Sequence, residues 1–332
     1  MPRVPYRLAA RGSLEWEPAG HRLAILSGEA LVLVDADAPD EPASFPQHRA
    51  LRALAWSPDS QALALSLEGN SRLAVARVVD GAEVWNIDPG DEPDALRWSP
   101  DGAHLFAMGC PAVLCDAATG AVRWSHGRES LRSLRTYDAV RGREGVRFEA
   151  QKTWPVAASW SKDSRFVAVS WAEGHEVRDV AGRVVYSGPT TPAEGRGEAL
   201  QWGPWGEPLF DDGGSRLGRC MLDTADRFAR SFAFSGRLAA AEGAQHILHV
   251  RDEDGEQTQL PGHPRTITGL AWGPDGTLAT ACRDGLLRRL RSPRGPIEPW
   301  FDLGGWGEQL AWSADGAWLA VMTPRATWLI PA

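Results

Sequence analysis

Lysine is almost absent from this chain: of 35 basic residues only Lys152 and Lys162 are lysines, and the other 33 are arginines. With plentiful alanine, glycine and proline, that skew points to a GC-rich bacterial genome and carries no information on activity. Cysteines number four. Cys110 and Cys115 form a C-x4-C, but no second Cys/His pair with zinc spacing accompanies them, so they read as reduced, partly buried thiols. Long apolar runs are missing; LALSL and ALVLV have strand length and are far too short to cross a bilayer. The opening MPRVPYRLAARGSLEW lacks the apolar core of a secretory signal, which places the protein in the cytoplasm as an expectation. Also missing is any sustained 3.6-residue apolar period, so helix content should be very low. Positive charge is in deficit, with a net charge of −8, which argues against non-specific nucleic-acid binding over the whole surface.

What the chain does have is a phrase that returns. WSPDG at Trp98 recurs as WSPDS at Trp56, WSKDS at Trp160, WGPDG at Trp272 and WSADG at Trp312, with weaker copies at Trp16 and Trp202. Taking the aromatic that ends each first apolar run, and including Phe234, successive gaps are 40, 42, 62, 42, 32, 38 and 40 residues. The gap of 62 holds an insertion at about 125–153, and the gap of 32 marks a shortened unit. Within a unit, LRALAW, QALALSL, SRLAVARV and AEVWNI are separated by Gly, Asp, Asn and Pro turns, the signature of four antiparallel strands joined by hairpins. Two residues before the anchors the side chains are mostly leucine; three residues before they are mostly alanine or serine. Strand side chains alternate faces, so a bulky face meets a small one and successive sheets can nest at native density. Pro-Asp-Gly after a strand is turn chemistry. The repeated phrase is therefore a structural joint with a core-filling tryptophan before it.

Four short strands at a period near 40 residues predict an all-β fold: one closed β-propeller over 1–332 with four-stranded antiparallel blades. Eight anchors give eight blades, or seven if the short unit at Trp202 merges with the next. The last unit is one strand short, and RVPYRLA at 3–9 is placed to supply it, covering an edge that would otherwise be exposed. The units resemble WD40 repeats. The best copy is PGHPRTITGLAWGPDGTLATACRDGLLRRLR, with Gly262–His263, the Pro-Asp-Gly turn and Asp284. In that family the His and Asp belong to a hydrogen-bond network closed by a strand tryptophan; the Trp-Asp position here reads Arg289–Leu290. Propeller repeats of the TolB-like type use a similar turn and are the alternative lineage.

Catalytic signatures are not found: no G-x-S-x-G elbow, no P-loop, no dinucleotide fingerprint. No cofactor or metal is expected. His246 and His249 stand at an odd strand spacing that sends them to opposite faces. Two basic clusters rise above background. Residues 123–152 carry seven Arg and Lys152 against four acids, and 283–294 carry five Arg against Asp284. The insertion, read as a loop, offers Arg132, Arg135, Arg141 and Arg143 for an acidic partner. Six residues before the anchors stand Trp154, Arg196, Phe228 and Trp306; four before stand Arg52, Asp94, Glu198, Arg230 and Glu308. The resemblance implies that these strand entrances face the rim of a central channel, and aromatic and Arg side chains there have hot-spot composition. The sequence therefore reads as a non-enzymatic interaction platform or regulatory subunit for a protein partner. Two alternatives stay open: a lyase- or hydrolase-type enzyme with its site in the channel, and nucleic-acid binding through the insertion.

Overall fold

The computed structural model describes residues 4–10, 12–27, 30–45, 50–69, 71–138, 143–153, 155–171, 174–189, 200–202, 208–210, 232–235, 238–242, 246–252 and 256–332. Among them there is no α-helix. Six four-stranded antiparallel sheets follow one another along the chain, over 13–44, 51–87, 95–126, 155–189, 232–260 and 267–302, each with its strands in sequence order. A seventh joins Gln309–Trp312, Trp318–Met322 and Thr327–Pro331 to the N-terminal strand Tyr6–Leu8. There, Tyr6 pairs with Leu329, Arg7 with Trp328 and Leu8 with Thr327, as expected of the opening segment. Leu200–Trp202 and Pro208–Phe210 form a separate two-stranded pair.

The leading strand of each sheet lies beside the leading strands of its neighbours. Gln309–Trp312 adjoins Ser13–Trp16, which adjoins Leu51–Trp56, followed by Ala95–Trp98, Pro155–Trp160 and Leu200–Trp202; Phe232–Ser235 adjoins Ile267–Trp272, which adjoins Gln309–Trp312. The core is accordingly a series of layers between sheets rather than one centre, the arrangement by which repeat proteins outgrow a single core. Leu96 and Leu105, both fully buried, pack on Ala53 and Ala55 of the preceding sheet, so large does meet small as the strand pattern requires. Trp56, Trp160 and Trp272 are buried, whereas Trp98 and Trp312 are only partly so.

The reason for tryptophan rather than another large residue lies in its indole N–H. It donates to the carbonyl one residue before the anchor of the preceding sheet: Trp16 to Ala311 at 2.8 Å, Trp56 to Glu15 at 3.1 Å, Trp98 to Ala55 at 3.1 Å, Trp160 to Arg97 at 3.0 Å and Trp312 to Ala271 at 3.0 Å. Each of these bonds contributes about 1 kcal/mol, and together they fix the spacing of neighbouring sheets.

The turn after the tryptophan is built from its serine and aspartate together. Ser99 Oγ donates to Asp101 Oδ1 at 2.6 Å and accepts from the His104 N–H at 2.9 Å, while Asp101 Oδ1 accepts from the Ala103 N–H at 3.0 Å. Ser161–Asp163 and Ser313–Asp315 repeat the pattern. The hydroxyl bonds from Ser57 and Ser161 are the leading reason that Asp59 and Asp163 titrate below the usual carboxylate range. The fifth position needs a left-handed backbone. Gly102, Gly276 and Gly316 supply it at φ of 72°, 81° and 74°, but Ser60 and Ser164 adopt it too, at 61°. Each of these serines accepts a backbone N–H from the preceding turn, of Ala19 at 3.1 Å and of Asp101 at 3.0 Å. That bond offsets the strain of a non-glycine residue there.

One contact crosses between the first and last sheets at these turns. His21 Nδ1 lies 2.5 Å from Asp37 Oδ2 and its Nε2 lies 2.7 Å from Asp315 Oδ2. The bonds to Asp315 and then Asp37 raise the His21 pKa. A histidine with a raised folded pKa stabilises fully below its unfolded value near 6.5 and loses that contribution as pH rises through the folded value. His21→Gln should therefore lower the melting temperature by about 3 °C at pH 6 and leave it unchanged at pH 9. Thermal melts across that range check this, and a parallel pH profile for the variant would contradict the assignment.

Candidate functional site

In an antiparallel four-stranded sheet, the entrance to the first strand and the turn between the second and third strands lie at one end. The end of the fourth strand lies there too, so anything inserted between consecutive sheets emerges at that same end. The arginine-rich insertion follows Val122–His126 and precedes Pro155–Trp160, and so belongs to the entrance end.

The insertion is a β-hairpin and not the loop that arginine content suggests. Arg128–Asp138 pairs with Arg143–Thr153 in unbroken register, Arg128 opposite Thr153 and Asp138 opposite Arg143. The alternation VRFEAQ over 146–151 is the period-two pattern of a strand with two different faces. The register gives one face positions Arg128, Arg132, Arg143 and Arg147, with Arg132 directly opposite Glu149. The other face holds positions Leu131, Tyr137, Val146 and Phe148 together with Arg135. The four insertion arginines expected to act together are thus divided: Arg132 and Arg143 share a face, Arg135 has the opposite one, and Arg141 lies outside the described residues.

Of the entrance candidates, Trp154, Arg196, Phe228 and Arg230 also lie outside the described residues. Arg52 and Trp306 are described and exposed. Arg52 is paired already: its Nε donates to Asp94 Oδ1, and its NH1 lies 3.4 Å from Glu92 Oε2. Glu92 Oε1 in turn accepts the Gly69 N–H at 2.5 Å. This network ties the entrance of Leu51–Trp56 to that of the next sheet and holds Arg52 in a set geometry. Trp306 is 45% exposed, and its indole donates to Glu308 Oε1 at 3.2 Å. Asp94 and Glu308 are therefore each engaged by a neighbour.

Trp306 borders a cleft of about 340 Å³ with Leu303, Arg7, Arg325 and Trp328. Arg7 comes from the N-terminal strand, its guanidinium carbon 6.0 Å from the centre of the Trp328 ring. Arg325 stands exposed on the turn before Thr327–Pro331, a turn held by buried Thr323, whose Oγ1 donates to the Ala326 carbonyl at 2.9 Å.

Three of the five arginines in the second cluster are engaged within the fold, while Arg283 and Arg291 are exposed. Arg288 is buried and forms a bidentate pair with Asp284, Arg294 pairs with Asp252, and Arg289 lies 3.6 Å from Glu298 with its guanidinium over Trp300. The network expected around His263 is present in altered form. His263 Nε2 is 2.9 Å from Thr280 Oγ1, and burial foremost, then Arg288, lowers the His263 pKa to about 4. The Asp284 carboxylate, pushed down to about 2, is bonded by Arg288, while Arg289, at the position where the resemblance implies a tryptophan, lies beside Glu298 instead. Cys110, Cys115 and Cys282 are buried, and burial pushes the Cys115 thiol up to about 12.

Two functional side chains on the leading strands escape a reading based on repeat averages. Gln309 Oε1 accepts the Leu14 N–H at 3.1 Å and its Nε2 donates to the Leu14 carbonyl at 3.1 Å, so one amide side chain mimics a strand between the last and first sheets. Glu15 Oε1 accepts the Trp56 N–H at 3.2 Å. The available signal was deviation itself: Gln309 stands where other units place small residues, and Glu15 precedes its anchor where Ala55, Ala271 and Ala311 stand.

Layered four-stranded sheets stitched through their leading strands define a β-propeller. Residues 255–288 match the family model of the WD domain, G-beta repeat (WD40), which overlaps the best copy read from the sequence. The chain thus has the fold of a β-propeller and carries a WD40 repeat at 255–288. It is similar to Coronin-7 of Bos taurus, 46% identical over 71 residues, and to Coronin-7 of Homo sapiens, 42% identical over 71 residues. Each match takes in 20% of this chain and 8% of the relative, so less than a tenth of those relatives' length is represented. Among solved structures, the Cps50 (Swd1) β-propeller domain of Myceliophteria thermophila superposes with a TM-score of 0.62 at 11% identity, covering 99% of this chain and all of that one. A chain of the Mitotic Checkpoint Complex superposes at 0.58 with 12% identity, covering 100% of this chain and 94% of that chain. At such identities the likeness is one of fold.

Proposed function

We propose that this chain is a single-domain, eight-bladed propeller, closed through its N-terminal strand, that serves as a platform for an acidic protein partner at the entrance end of its sheets. Eight blades are supported by the eight anchors and by the two-stranded pair at 200–210, which is separate from the sheet over 232–260. Closure is supported by the pairing of Tyr6–Leu8 with Thr327–Pro331 and by the Gln309–Leu14 bonds between last and first sheets. WD40 propellers as a class mediate protein–protein interaction and scaffolding, and composition favours a bacterial cytoplasm as the setting. The observation that carries the platform reading is convergence. The hairpin, the ordered Arg52 network and the Trp306 cleft all belong to one end of the sheets, where the repeat does not dictate residue type.

The test is reversal of one hairpin face. Changing Arg128, Arg132, Arg143 and Arg147 together to Glu should leave the melting temperature within about 2 °C, because the hairpin pairs with itself and supplies no strand to a four-stranded sheet. Capture of the protein's native partner should weaken more than tenfold, and the wild-type interaction should fade between 50 and 500 mM salt as screening shortens the field. Unchanged capture by a folded variant would remove the hairpin from the interface.

A further inference from the structure

The cleft beside Trp306 differs in charge from the rest of the molecule. The protein carries 43 acidic residues and a net charge of −8, yet among the described residues no carboxylate lines this cleft, and two arginines do. Several other described arginines are neutralised within the fold, Arg22 by Glu17, Arg72 by Glu83, Arg178 by Glu176 and Arg288 by Asp284. Arg7 and Arg325 form no ion pair among the described residues, although both are exposed. Two unneutralised guanidiniums at one concave site repel each other, and an anion placed between them removes that cost.

The rest of the lining is apolar and preformed. Trp306 is 45% exposed, Trp328 is held edge-on by Phe301 with ring centres 5.0 Å apart, and Leu303 is buried at the base. The loop carrying Trp306 is pinned by the Leu303 N–H to the Gly285 carbonyl at 2.9 Å and by the Gly304 N–H to Asp302 Oδ1 at 2.9 Å. A Cβ added at Gly305 would meet nothing within 4 Å, so the mouth is open on that side. Little ordering is therefore left for a ligand to impose. At about 340 Å³ the cleft sits at the small end of ligand sites, room for one or two side chains rather than a folded element.

From this geometry we infer that the cleft is a docking site for a short acidic peptide segment of a partner protein. One apolar or aromatic side chain of that segment lies against Trp306 and Trp328, and flanking carboxylates are held by Arg7 and Arg325. Guanidinium–carboxylate pairs are bidentate and directional, and tryptophan and arginine dominate binding energy at such anchors. The inference rests on the platform reading and specifies the partner's chemistry at one of its surfaces. It has a structural corollary: Arg7 reaches the cleft only because its strand pairs with Thr327–Pro331, so the site is assembled from both ends of the chain.

The experiment uses the full chain and a fluorescein-labelled hexapeptide, EDLFDE, read by fluorescence polarisation, with KRLFRK and EDGSDE as controls. Expected are saturable binding of EDLFDE below about 100 µM, none of KRLFRK at 1 mM, and at least fivefold weaker binding of EDGSDE. Arg7→Gln and Arg325→Glu should each weaken EDLFDE at least tenfold, and Trp306→Ala at least fivefold, in variants whose melting temperatures match the wild type. Binding that ignores all three substitutions would overturn the assignment, as would no binding at 1 mM. Displacement by glutarate at concentrations equal to the peptide would instead make this a small-carboxylate site, and Arg-dependent binding of an oligouridylate would make it a nucleic-acid contact. Either result overturns the peptide assignment. The hairpin reversal decides the platform reading separately, so failure here leaves that reading standing.

Discussion

Removing residues 1–10 should lower the melting temperature by about 10 °C or more and drive aggregation on heating. The segment supplies the fourth strand of the last sheet, and Leu8, 6% exposed, packs in the same layer as Leu14, Trp16, Ile25, Trp318 and Leu329. Deleting a buried leucine side chain costs about 2–5 kcal/mol, and for a chain of this size each kcal/mol is worth about 2–4 °C. Tyr6 adds a hydrogen bond from its hydroxyl to Asp40 Oδ1 at 2.7 Å, joining this strand to the turn region of the first sheet. Loss of the segment also leaves Thr327–Pro331 as an unpaired edge whose Leu329 and Ile330 are fully buried in the intact protein, and an apolar open edge invites association with other chains. Differential scanning calorimetry and light scattering read both effects. Leu8→Asp in the full chain, which keeps the backbone but breaks the layer, should reproduce most of the loss. A truncated protein that melts with the wild type would show that this strand is not part of the stabilising architecture.

How much of this was legible in the sequence depends on whether a feature repeats. The period, the four strands per unit, the turn chemistry and the missing strand at 3–9 could all be read, because several copies impose the same constraint and chance deviations average out. The indole stitch could not be read, since its acceptor is a backbone carbonyl of another sheet and leaves no mark on residue type. The role of serine in the turn was hidden for a different reason: glycine at Gly273 and Glu17 at the first position keep the turn without it. Glu17 does so by accepting the Arg22 N–H at 2.9 Å, the bond that serine makes elsewhere. Features present once were misread or missed. The hairpin at 128–153 was taken for a loop because arginine count outweighed its period-two alternation. Arg288 was counted as surface charge although its distance of four residues from Asp284 allows a buried pair. Of the candidate site, Arg52 and Trp306 were found by position, but Arg7 and Arg325 were not, because only the fold brings a residue near the start of the chain beside one near its end.

Glu15→Gln should raise the melting temperature by about 5 °C at pH 8 and leave it nearly unchanged at pH 4.5. Burial between the first two sheets is the main reason that the Glu15 carboxyl is pushed up to about 7, partly opposed by the Trp56 N–H bonded to it and by the Arg97 charge. An acid with a raised folded pKa binds its proton more tightly folded than unfolded. Its effect on stability is thus neutral below the unfolded value near 4.5, becomes unfavourable as pH rises towards 7, and is fully developed above that. The magnitude follows from roughly 1.4 kcal/mol per pKa unit, reduced to about 2 kcal/mol because the group retains some solvent contact. Glutamine keeps the oxygen that accepts from Trp56 and never ionises, so it removes the cost without breaking the bond. Arg97→Ala should act oppositely, deepening the loss at pH 8, because it deletes the charge that favours the ionised form. The trend has the same sign as that of His21, whose contribution also declines as pH rises, but over a higher window. The two contributions together favour the folded state more at pH 5.5 than at pH 8.5, opposite to that of buried His263, whose lowered pKa costs stability at the acid end, and the variant Glu15→Gln/His21→Gln should lose the first without touching the second. Thermal melts of the wild type, the two single variants Glu15→Gln and His21→Gln and their double variant between pH 4.5 and 9 separate the contributions. A Glu15→Gln profile running parallel to the wild type would place the ionisation of Glu15 at an ordinary value and exclude it as the source of the slope.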